Sequence, residues 1–74
     1  MLKNSEIWIC SEIKFRNICF LIGFSKYKTD FAWDALRLNM PEKELMEKYN
    51  YELATVQNKK YRIRKELNNC DRFI

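Results

Sequence analysis

The sequence predicts a mainly α-helical fold, with a core of three helices over about residues 30–38, 41–49 and 53–67 behind an N-terminal β-hairpin or extended segment over about 6–24. Three observations lead there. From Phe31 onward, apolar residues recur at helical spacing. Asn39, Pro41, Asn50 and the pair Asn68-Asn69 cut that half into helix-sized pieces. Before it, Ile7, Ile9, Ile13 and Phe15 fall on one parity, with Glu6, Glu12, Lys14 and Arg16 on the other, the pattern of a half-buried strand. The run Ile18 to Ile22 fits a second, more buried strand, with Arg16-Asn17 as the turn. An all-α fold, in which that run is a buried helix, is the alternative.

Seventy-four residues hold a single domain, divided into a packing or oligomerisation segment, 1–28, and a helical core, 29–69. Hydrophobic residues make up 47% of the chain and aromatic residues 15%, too apolar for a disordered tail. One small core does not readily hide that much apolar surface, which favours a homodimer or another partner.

Each helix has its signals. Ser25 to Lys28 reads as a loop, Thr29 and Asp30 as N-caps, and Phe31, Ala32, Ala35, Leu36 and Leu38 as the apolar arc opposite Asp34 and Arg37. Pro41 suits the first turn of the second helix, whose early glutamates favour the positive end of its dipole. Asn50 suits the left-handed residue that ends it. In the third helix, with Thr55 at 0° and about 100° per residue, Val56, Lys60, Ile63 and Leu67 fall between about 80° and 140° and form the core arc. Thr55, Asn58, Lys59, Arg62 and Glu66 cluster near zero, and Gln57 reaches round from the flank. Trp8 and Trp33 read as core anchors, and Tyr49 and Tyr51 as core residues at the corner.

Whole classes of chemistry are excluded. With no histidine there is no Ser-His-Asp triad and no His-dependent metal site. Cys10, Cys19 and Cys70 are too few and too dispersed for a zinc knuckle, and lone Gly23 builds no phosphate cradle. The expectation is a non-enzyme without metal or cofactor. The odd cysteine count and the absence of a signal-like start point to the cytoplasm. No apolar run approaches the ~20 residues of a membrane span.

Charge supplies the positive signal. The chain carries 14 basic and 10 acidic residues, and between Gln57 and Lys65 five of nine are basic and none acidic. Charge so concentrated attracts polyanions. A tight corner between two helices, the second of them basic, is the geometry of a helix-turn-helix. Amides such as Gln57 and Asn58 suit base edges, while Lys59, Arg62 and Lys65 suit phosphates.

Glu44 to Leu67, ELMEKYNYELATVQNKKYRIRKEL, resembles the helix-turn-helix of LuxR/GerE-type regulators and the related sigma-factor region that reads promoters. Glu44-Leu45 matches the start, Tyr49-Asn50-Tyr51 is similar to the corner, and Thr55-Val56-Gln57-Asn58, Ile63 and Leu67 match the recognition helix. Met46 replaces a small residue at the helix contact. Glu52 stands where a serine normally caps, and its carboxylate is expected to cap in that serine's place. The resemblance implies a transcriptional regulator that binds double-stranded DNA, and the Lys-, Asn- and Ile-rich composition suggests a bacterial or phage one. The fourth helix that often mediates dimerisation in that family is missing, but one such helix alone would bind weakly, so a homodimer spanning adjacent half-sites is expected. Helix 53–67 would enter the major groove, with Thr55, Gln57 and Asn58 on bases, Lys59, Arg62 and Lys65 on phosphates, and Tyr51 able to reach a phosphate. The rival expectation is a protein-interaction module, such as a phage-encoded inhibitor docking on RNA polymerase or a repressor.

Overall fold

The computed structural model describes residues 4–69, and the chain is mainly α-helical there, with no strand among the described residues. A 3-10 turn, Asn4–Trp8, leads into α1, Glu12–Leu21. Next come α2, Lys26–Ala32, whose axis continues through a π-helical turn, Trp33–Arg37, then α3, Glu42–Tyr49, and α4, Leu53–Asn68.

The hairpin expected over 6–24 is therefore replaced by helix, and the all-α alternative is the better description. Ser11 starts α1: its Oγ accepts the Lys14 N–H at 3.3 Å. Phe15, Ile18 and Cys19, at helical spacing, are buried on the inner side of α1. Arg16 and Asn17, expected to turn the chain, lie within this helix. The alternation that suggests a strand does not mark one face, because Ile7 and Phe15 are buried while Ile9 and Ile13 are exposed; Phe20 and Leu21 are exposed with Ile13 on the outer side of α1. Gly23, at φ +95, takes the left-handed conformation that lets the chain leave α1.

The next helix starts earlier than expected. Ser25, not Thr29 or Asp30, is the cap, its Oγ accepting the Lys28 N–H at 3.1 Å. Thr29 is instead buried, and Asp30 pairs with Arg16 at 2.5 Å. In the π-helical turn the Leu38 N–H bonds to the Trp33 carbonyl at 2.9 Å, five residues back. This wider turn shifts the helical phase of the side chains around it. Leu38, expected in the core, is exposed, and Asp34, expected outside, is buried. Arg37 also turns inward: it donates to the Ile7 and Cys10 carbonyls at 3.0 and 2.5 Å and lies over the Trp33 ring, 4.8 Å from its centroid. It thereby clamps the N-terminal turn to the helical core.

The second half adopts the expected layout closely. Pro41 flanks α3 as its N-cap rather than entering its first turn. Asn50 ends the helix in the left-handed region at φ 57 and ψ 46, with the Tyr51 N–H bonded to the Met46 carbonyl at 3.1 Å. The corner is Asn50, Tyr51 and Glu52. α4 packs against α3, α2, the π-helical turn and the 3-10 turn. One core joins all of these: Ile7 from the N-terminal turn, Phe15, Ile18 and Cys19 from α1, Phe31, Ala35 and Leu36 from α2 and the π-helical turn, Leu45 and Tyr49 from α3, and Val56, Ile63 and Leu67 from α4. Trp8 and Trp33 are half-buried against it, and the Trp8 Nε1–H donates to Asn68 Oδ1 at 3.0 Å. Cys19 is in the core and Cys10 is half-buried, while Cys70 lies outside the described residues.

Candidate nucleic-acid interface

α4 is fixed by its buried side and free on the other. Val56, Ile63 and Leu67 are buried, with Lys60 half-buried between them, its stem available to cover apolar surface while its ammonium reaches water. At about 100° per residue the side diametrically opposite carries Ala54, Asn58, Tyr61 and Lys65, all exposed. Gln57, Arg64 and Asn68 flank it on one side and Arg62 on the other, again all exposed.

The residues expected to meet nucleic acid therefore fall into two groups. Asn58, Arg62 and Lys65 share the open side, with Gln57 at its edge. Gln57 also donates from Nε2 to Glu42 Oε2 at 3.3 Å, tying α4 to the start of α3. Thr55 and Lys59 are half-buried and, four residues apart, share one side of the helix. Lys59 Nζ stands over the Tyr51 ring, 5.2 Å from its centroid. Tyr51 stacks on Tyr49, with centroids 5.9 Å apart and ring planes 18° apart, and tilts against Phe31. The Tyr51 hydroxyl makes no hydrogen bond among the described residues. Thus Tyr51 carries Lys59 rather than standing free itself.

Among the residues of the open side and its flanks that were not expected are Tyr61, 69% exposed, and Arg64. Their signal was present in the sequence. Tyr61 sits three residues after Asn58 and four before Lys65, a spacing that puts all three on one helix face.

The ion pairs lie outside the basic run of α4, although Lys26, Arg37 and Lys43 also make none among the described residues. Lys14 pairs with Glu6, Arg16 with Glu12 and Asp30, Lys28 with Glu66, and Lys48 with Asp34. Among the described residues, Lys59, Lys60, Arg62, Arg64 and Lys65 make no ion pair. Among the described residues their charges are thus not cancelled, which is what a polyanion needs. Glu66, the acidic residue of this helix, is drawn back to Lys28 Nζ at 2.9 Å. Glu52 at the N-terminus of α4 makes no side-chain cap, contrary to the expectation that its carboxylate would serve as one. Only its carbonyl engages the helix, through the Val56 N–H at 3.0 Å.

Beneath the corner a buried polar pair, Asp34 and Tyr49, joins α3 to the π-helical turn. Asp34 Oδ2 accepts the Tyr49 hydroxyl at 2.5 Å and the Lys48 ammonium at 2.6 Å. Burial, reinforced by the Asp34 hydrogen bond and charge, raises the Tyr49 pKa well above the ordinary phenol range. Tyr49 stays protonated and donating.

No family model, curated protein or solved structure matches this chain. No helix among the described residues is long and apolar enough to cross a membrane.

Proposed function

We propose that the chain is a small cytoplasmic DNA-binding protein, a transcriptional regulator of bacterial or phage type, in which α3, the corner and α4 act as a helix-turn-helix. The observation that carries this reading is the set of five cations on α4 without an acidic partner among the described residues, on a helix held rigidly from behind by Val56, Ile63 and Leu67. α4 lies in the major groove, which admits a helix of ordinary diameter. Asn58 and Gln57 present amides to base edges, with Thr55 nearer the corner. Arg62 and Lys65 hold phosphates, and Lys59 reaches a flanking phosphate from its seat on Tyr51.

One observation favours a second reading, docking on a protein of the transcription machinery. Tyr61, Arg62 and Lys65 line, with Ile22 and Phe24, an open cavity of about 450 Å³ beside α4. Exposed Tyr and Arg around an apolar hollow are also the composition of protein-binding hot spots.

A mobility-shift titration with random-sequence duplex DNA at low and physiological salt separates the two. The DNA reading requires binding at low salt that weakens as salt rises and is lost in the Lys59→Ala plus Arg62→Ala variant. Indifference to DNA at low salt would transfer α4 to a protein partner.

A further inference from the structure

We propose that the outer side of α1 is the seat of a second copy of this chain, packed antiparallel about a two-fold axis through Asn17. α1 is apolar on two sides. Phe15, Ile18 and Cys19 face inward and are buried. Ile13, Asn17, Phe20 and Leu21 succeed one another at intervals of four, three and one on the other side, the spacing of a helix stripe that meets another element. Ile13 is 76% exposed, Phe20 78% and Leu21 65%, and Ile9, just ahead of the helix, is 78% exposed.

The amount of surface argues for a stable partner. Four large side chains this exposed leave roughly 500–600 Å² of apolar surface, the upper end of what a monomer shows and most of the ~800 Å² per partner that a specific interface covers. The pattern argues for the same chain as that partner. In an antiparallel pair centred on Asn17, Ile13 of one copy meets Phe20 and Leu21 of the other, and the same contact recurs across the axis, as an isologous interface requires. Asn17 then faces its own copy, and an amide both donates and accepts, so the two satisfy each other and fix the register.

The rim points the same way. Lys14 is paired with Glu6 at 3.7 Å and Arg16 with Glu12 at 2.9 Å, so the cations that α1 itself carries beside the stripe are paired. A second copy suits this side better than an anionic membrane surface, which would bury Asn17 unpaired. The inference stands on α1 alone and holds whatever α4 binds.

Sedimentation equilibrium of the full chain under reducing conditions, from micromolar to hundreds of micromolar, tests it. The wild type is expected at twice its 9.1 kDa. Phe20→Glu and Ile13→Glu should each raise the dissociation constant roughly 100-fold. Both should leave the far-UV circular dichroism unchanged, because both side chains stand in solvent in the single chain. On oxidation, Asn17→Cys should cross-link two copies well above the level of the unsubstituted chain and of Lys43→Cys on exposed α3. A wild type at the mass of one copy throughout overturns the proposal, as does a Phe20→Glu variant that still pairs. An Asn17→Cys yield no higher than that of Lys43→Cys overturns the antiparallel arrangement.

Discussion

The Tyr49 hydroxyl donates to Asp34 Oδ2 across 2.5 Å, joining the last turn of α3 to the π-helical turn that continues α2. Asp34 is buried, so its carboxylate depends on this bond and on the Lys48 ammonium for what water no longer supplies. Through this pair the corner that presents α4 is referenced to the centre of the fold.

Tyr49→Phe should destabilise the chain by about 1–3 kcal/mol at neutral pH, because it leaves a buried acceptor short of a donor. The pH dependence has a definite sign. Tyr49 is raised above the ordinary phenol value, so its contribution is complete below pH ~10 and is lost as pH climbs from there toward the folded-state value. Urea denaturation between pH 7 and 11 should show the wild type losing its advantage over Tyr49→Phe only at the alkaline end. An equal advantage at pH 7 and pH 11 would contradict the assignment.

Leu45 is fully buried where α3 meets the core. Leu45→Ala should cost about 2–5 kcal/mol, combining lost transfer energy with the cavity left behind. For a domain this small, whose total stability is about 3–5 kcal/mol, the thermal transition should fall below room temperature or vanish. A shift of only a few degrees would mean that α3 is not integral to the core.

At the corner, Asn50 sits at φ 57 and ψ 46. Asn50→Gly should change stability by only a few tenths of a kcal/mol, since glycine enters this region freely, whereas Asn50→Val should cost about 1–2 kcal/mol or more. Equal melting temperatures for the two variants would rule out a left-handed corner.

Asn58 and Lys65 lie on the same open side of α4 but carry different expectations. Lys65→Ala should lower affinity for every duplex and reduce the salt slope by about 0.9, the contribution of one phosphate. Asn58→Ala should leave the slope unchanged and blunt discrimination among sequences chosen by selection. Fluorescence anisotropy over a salt series reads both.

How much of this was legible in the residues differs between the halves of the chain. From Asn39 onward, breakers and caps act locally: Pro41 and Asn50 bound α3, and α4 starts at Leu53, because backbone conformations at such residues depend little on tertiary context. In α1, periodicity misled because the helix has apolar residues on two sides, so Ile13 and Phe15 look like one strand face although one is exposed and the other buried. Around Asp34 and Leu38 the π-helical turn shifted the phase, and no residue type announces such a turn. In α4 the core arc of Val56, Ile63 and Leu67 was readable, but the outward face was centred on Thr55 rather than opposite that arc. An arc centred on Thr55 leaves out Tyr61 and takes in Thr55 and Lys59, which the fold half-buries.

The measurement that bears most directly on the central claim is the dependence of duplex-DNA affinity on salt for the full chain. With Lys59, Arg62 and Lys65 on phosphates, log affinity should fall against log salt with a slope of ~−2.7 per copy, and the triple alanine variant should flatten it toward zero. A wild-type slope indistinguishable from zero, or a triple variant that keeps the wild-type slope, would contradict the claim that α4 presents its charge to a polyanion.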